Sequence, residues 1–153
     1  VYERQQKVYD FAVKVNKELA NAHIYAKFAW DKGATEAEMK QCLSDIRKSQ
    51  WRWDYALASH GAAFHAPQEV MRLLANSMMY AKDAQLQATR VAAKHGFTGQ
   101  IPLPDISTRE KAAKYVGLDM KTLHAQKQDF LNTVVPKWIE TARKNKRFIT
   151  QPM

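Results

Sequence analysis

One cysteine, five glycines and five prolines in 153 residues leave little material for a disulfide scaffold or a turn-rich β fold. The lone Cys42 excludes an internal disulfide and a cysteine-built zinc site. It also excludes covalent haem attachment by this chain alone, because that chemistry uses a C-x-x-C-H run and none occurs. No apolar stretch approaches the roughly 20 residues that a membrane-spanning helix needs, and no signal-peptide pattern opens the chain. A glycine-rich phosphate loop, G-x-S-x-G, H-E-x-x-H and a Glu-x-x-His pair are all missing. The common nucleotide, serine-hydrolase, zinc-protease and bundle di-iron chemistries go with them.

What is present favours helix. Hydrophobic residues make up 46% and charged residues 25%, which suits one globular domain with a real core. The net charge of +9 invites an anionic partner, whether nucleic acid, membrane or an anionic cofactor. Basic residues concentrate only in Arg143, Lys144, Lys146 and Arg147, where a solvated helix end is the simpler explanation. With no recognition motif and no basic stripe, nucleic acid is not expected as a partner.

Apolar residues at Val8, Phe11, Ala12, Val15, Leu19, Ala22, Ala26 and Trp30 recur at steps of three and four, predicting a helix over 2–31. After Gly33, Thr35 and Glu38 form a capping box, and Met39, Cys42, Ile46, Trp53 and Leu57 carry a second helix over 36–60. These two should form a long antiparallel hairpin. Pro67 suits the first turn of a third helix over 67–95, ending at Gly96. Pro102 and Pro104 make 96–106 an extended linker. Ser107 and Glu110 open a short helix over 108–116, and Asp119 caps a last one over 120–145. Its residues Met120, Leu123, Phe130, Leu131, Val134, Trp138 and Ile139 should face inward, and Pro136 should kink it. The fold class is all-α, a single helical domain over 1–153. Helices about 40 Å long at 1.5 Å per residue are tall for this chain, so part of their apolar surface should meet other protein. A start at Val1 without Met suggests processing or a piece of a longer chain.

The richest stretch, QWRWDYALASHGAAFHAP from Gln50 to Pro67, is apolar on more than one helical face and should be buried around its circumference. Trp51, Trp53 and Tyr55 could wall a flat ligand, although such aromatics are more often core. His65 precedes Pro67 at the positive end of a helix dipole, where neutral, metal-binding imidazole is favoured. The alternative is an imidazole bonded to backbone. His60 continues the stripe of Trp53 and Leu57 as a core histidine. The five-residue step to His65 across Gly61 is not the i, i+4 spacing of two ligands on one helix face. His23, His95 and His124 stand singly. Met71, Met78 and Met79 read as core filler rather than haem ligands. Spacing alone stops at a helical domain with one suggestive histidine.

The strings QWRWDYALASHGAAFHAPQEV (Gln50 to Val70), IPLPDIST (Ile101 to Thr108) and FLNTVVPKW (Phe130 to Trp138) resemble the C-terminal region of ammonia-forming, pentahaem cytochrome c nitrite reductase. WDKGATEAEM (Trp30 to Met39) and VGLDM (Val116 to Met120) fall in the same order. The resemblance implies a multihaem-cytochrome type C-terminal helical domain in a periplasmic homodimer joined through long helices. That enzyme reduces nitrite to ammonium by six electrons. By resemblance, His65 in H-A-P is the distal axial ligand to the iron of an electron-transfer haem, and His60 is a lesser candidate. Trp51 or Trp53 would keep water from such a haem. The resemblance further implies haem c attached by an upstream portion of the same polypeptide, which would be this chain's partner, and a redox electron donor. Calcium belongs to the complete enzyme with no ligands expected here, and no catalytic residue falls within this chain. The competing expectation is a haem-free helical dimerisation or protein-interaction module.

Overall fold

The computed structural model describes residues 2–59, 61–145 and 147, and all regular structure among them is helical. The fold is all-α, in keeping with the 3.6-residue periodicity. Seven helices follow one another among the described residues: α1 (Tyr2–Asp31), α2 (Glu36–Ala58), α3 (Ala62–His65), α4 (Pro67–Lys94), α5 (Arg109–Tyr115), α6 (Met120–Thr133) and α7 (Val135–Lys144). They fall into two compact units, Val1–Leu103 and Pro104–Met153.

In the first unit α4 is the shared partner. It lies along both α1 and α2, while α1 and α2 touch each other much less. The expected hairpin is thus completed by a third long helix running parallel to α1. One end of the core joins Ala22, Ala26 and Ala29 of α1 to Met39, Cys42 and Ile46 of α2 and to Ala84, Ala88 and Val91 of α4. The other end joins Val8, Ala12 and Val15 to Ala56, Val70 and Leu74. Alanine at so many seam positions lets the backbones approach closely, so contact is made by dense packing rather than by long side chains.

Two polar features fix the register. Ser49 and Ser77 are fully buried. Each hydroxyl donates to the other residue's carbonyl oxygen at 2.8 Å, with the two Oγ atoms 3.0 Å apart. Trp53 Nε1 donates to the Ala12 carbonyl at 3.1 Å, tying α2 to α1. The turn between these helices is set by Gly33 at φ 94° and by the capping box. Thr35 N–H donates to Glu38 Oε2 at 2.9 Å, and Glu38 N–H donates to Thr35 Oγ1 at 3.4 Å.

The aromatic stretch after Gln50 is not buried all round. Trp53 and Ala56 face the core, whereas Trp51 is 61% and Tyr55 54% exposed. The reason is geometric: α2 is covered on one side only, and Trp51 and Tyr55, four residues apart, share its outer face. Their rings stack at 5.4 Å and 16°.

In the second unit Thr108, not Ser107, caps α5, its Oγ1 accepting from Lys111 N–H at 3.3 Å. Asp119 caps α6, Oδ1 accepting from Lys121 and Thr122 N–H at 3.0 and 3.1 Å. Pro136 does more than kink the last helix. It stands in the first turn of α7, where a missing N–H costs nothing, and the helix divides after Thr133. No residue of α6 or α7 is buried, so most of the expected inward face is in fact exposed, Trp138 to 62% and Phe130 to 41%, with Met120 and Val134 half-buried. Phe130 and Trp138 instead meet edge to face at 5.3 Å across the break.

Candidate functional site

His65 ends the four-residue helix α3, a single turn that the periodicity did not reveal, and one residue separates it from α4. Gly61 starts that turn at φ 82°, a left-handed conformation open to glycine at little cost. A Cβ there would stand 3.5 Å from His65 Cδ2, an ordinary contact distance, so it is the backbone conformation and not crowding that favours glycine. The His65 N–H donates to the Gly61 carbonyl at 2.9 Å, and the imidazole rests edge-on against Phe64 at 4.7 Å. The ring is exposed, and its nitrogens make no hydrogen bond among the described residues. Of the two readings of this residue, backbone bonding of the ring is therefore not what the geometry shows. His60 lies outside the described residues.

Beside His65 opens a groove of about 1080 Å³, between the start of α1 and the start of α4. Val8 and Met71 give it an apolar floor, and Arg4, Lys7 and Arg72 give it positive charge. The Arg72 guanidinium is held by Glu69 one helical turn earlier, and that contact keeps the Glu69 carboxyl below its usual pKa. Arg4 and Lys7, one turn apart on α1, have no ion pair among the described residues. Sequence reading missed this cluster because its cations come from two helices more than sixty residues apart. The only signal was the basic i, i+3 pair at the start of α1.

Other expected positions do not join the site. Trp53 is committed to Ala12, while Trp51 borders a separate basic surface on α2 with Arg47, Lys48 and Arg52. Met78 packs into the core and Met79 points to solvent. Cys42 is fully buried, its Sγ donating to the Ala84 carbonyl at 3.4 Å. Burial first, and the Asp45 carboxylate second, push its thiol up to about 11. His95 is not solitary: its Nε2 stands 3.0 Å from Glu38 Oε2, joining the end of α4 to the capping box. In the terminal basic cluster Lys144 pairs with Glu140 at 2.7 Å, and Lys146 lies outside the described residues. Among the described residues no three His, Cys, Asp or Glu converge as a metal site, and no helix is long and apolar enough to cross a membrane.

With this geometry in view, comparison with known proteins identifies the relatives. The family model for cytochrome c552 matches residues 1–147. A cytochrome c-552 from Porphyromonas gingivalis is 57% identical over 143 residues, which are 94% of this chain and 29% of that protein. Those from Bacteroides thetaiotaomicron and Bacteroides fragilis are 54% and 52% identical over 147 residues, 96% of this chain and 30% of each protein. The chain thus spans about 30% of the length of the curated relatives it matches.

These matches correct three expectations. The family named over nearly the whole chain is cytochrome c552, in place of a C-terminal region of ammonia-forming nitrite reductase. Haem c attached by an upstream portion, and that portion as partner, are withdrawn as well, because the matches name cytochrome c552 for these residues themselves. The residues fit that group in part. Cys42 does not fit a thioether link, being single, buried and hydrogen-bonded within the core. His65 does fit axial ligation, since its ring nitrogens carry no hydrogen bond among the described residues and the residue borders a groove with an apolar floor and a cationic wall.

Proposed function

From the premise that the chain belongs to the cytochrome c552 family, we propose that it serves electron transfer, with His65 as an axial ligand to haem iron. The observation that carries this reading is an exposed imidazole beside a cationic groove, its ring nitrogens without a hydrogen bond among the described residues. Haem supplies the reversible one-electron step when bound, and this chain supplies the iron ligand, the positive field and the apolar wall. An axial imidazole with no other duty fills a coordination position, so the role is electron relay and tuning of potential rather than capture of substrate.

The finer reading is that the electrons go to nitrite, reduced to ammonium, in a periplasmic homodimer. The unpartnered aromatic faces of α1 and α2, with Tyr9, Trp30, Trp51 and Tyr55 exposed, support association with a second copy.

A redox titration of the haem-bound protein tests the central part. His65→Ala should shift the potential of a single haem and alter its spectrum, while far-UV circular dichroism stays unchanged. An unaltered titration curve would remove His65 from the iron.

A further inference from the structure

We propose that the groove between α1 and α4 seats the carboxylate edge of a porphyrin, with Arg4 and Lys7 binding its propionates. The proposal rests on the reading of His65 as an iron ligand and adds how the ligand's ring would be oriented.

Three observations carry it. First, Arg4, Lys7 and Arg72 face one groove that contains a single carboxylate, Glu69, already tied to Arg72. The cations exceed the carboxylate by a charge of two, which is what a dicarboxylate porphyrin would neutralise. Secondly, Arg4 and Lys7 have no carboxylate partner among the described residues, although Glu3 and Asp10 lie on the same helix. Asp10 instead accepts from Gln6 Nε2 at 2.8 Å. Unpaired cations beside an apolar floor are available to form charge-assisted hydrogen bonds without first breaking an ion pair. Thirdly, the groove is large enough for a cofactor, at about 1080 Å³, and His65 stands at its rim. A free phosphate would use the cations alone. The apolar contribution of Val8 and Met71, together with the imidazole, favours an amphipathic ring with acids at one edge.

Arg4 and Lys7 are exposed, so their replacement should leave the core intact. The test titrates the full chain with iron protoporphyrin IX and, separately, with its dimethyl ester, following the Soret band. Wild-type protein should bind the diacid at least about tenfold more tightly than the ester. The double variant Arg4→Gln/Lys7→Gln should lose that preference while keeping the wild-type spin state. Equal wild-type affinity for diacid and ester, or a preference that survives the double substitution, would overturn the proposal. Failure to bind either porphyrin would overturn it too. His65→Ala separates the two readings. It should change the spin state and keep the diacid preference, and if the spectrum does not change while the preference persists, the ligand reading fails and the propionate seat stands.

Discussion

Replacing Ser77 by Ala should destabilise the first unit by about 1 kcal/mol, and the reasoning behind that figure is specific. Two hydroxyls meet in a fully buried seam between α2 and α4, each donating at 2.8 Å to the carbonyl of the other residue. There are only two hydroxyl protons, so the 3.0 Å approach of the two Oγ atoms is proximity and not a third bond. Removing one hydroxyl deletes one bond with a net value of about 0.5–1.5 kcal/mol and orphans no donor, since the remaining serine keeps its carbonyl. Ser49→Ala should cost about the same, and the double variant should cost about 2 kcal/mol, close to the simple addition of the two. Ser77→Val, by contrast, forces one extra methyl group into a tightly packed seam and should cost about 1–3 kcal/mol through overpacking. Urea unfolding followed by circular dichroism, with unchanged m values, measures all four variants. A double variant no worse than either single one would refute the reasoning, because it would mean that the hydroxyls serve only each other.

Three further outcomes follow from the same structure. Cys42, whose thiol is held near 11 by burial and by Asp45, should resist alkylation at pH 8 in the native protein and react fully in urea. Fast native labelling would contradict that. The Glu38 carboxyl is held down to about 2, first by the Thr35 N–H, then by the bonds to His95 and to the Thr35 hydroxyl. A depressed folded-state value gives stability that is complete above the unfolded pKa of roughly 4.3 and is lost as pH falls toward 2. Glu38→Gln should therefore lose less stability between pH 5 and pH 2 than wild type, and parallel acid titrations of the two would count against the capping box. Gly61→Ala should cost about 1–2 kcal/mol from its φ of 82°, while its methyl group meets the His65 ring only at ordinary contact distance and should leave it in place. An unchanged urea midpoint in that variant would contradict the backbone argument.

How much of this was legible in the sequence differs from element to element. The three long helices were, because Val8 to Trp30, Met39 to Leu57 and Val70 to Val91 each repeat at helical spacing and end at glycine or serve a capping box. The helix α3 was not, since four residues hold too few turns to show a period. Pro136 was read as an interruption inside one helix. Only the backbone reveals that Val134 both ends α6 and precedes α7. Trp51 and Trp53 look alike in sequence, and periodicity cannot say which one α1 covers. His65 was legible as a suggestive position from H-A-P and Pro67. Its groove was not, because Arg4 and Lys7 gain meaning only when α1 and α4 pack in parallel and bring them to Arg72.

The central claim is that His65 is bound to iron, and the most direct measurement is the electron paramagnetic resonance spectrum of the oxidised, haem-bound protein, compared between wild type and His65→Ala. The account predicts that one iron signal is changed in the variant, and that added imidazole restores the wild-type signal. A spectrum that is identical in wild type and His65→Ala would contradict it.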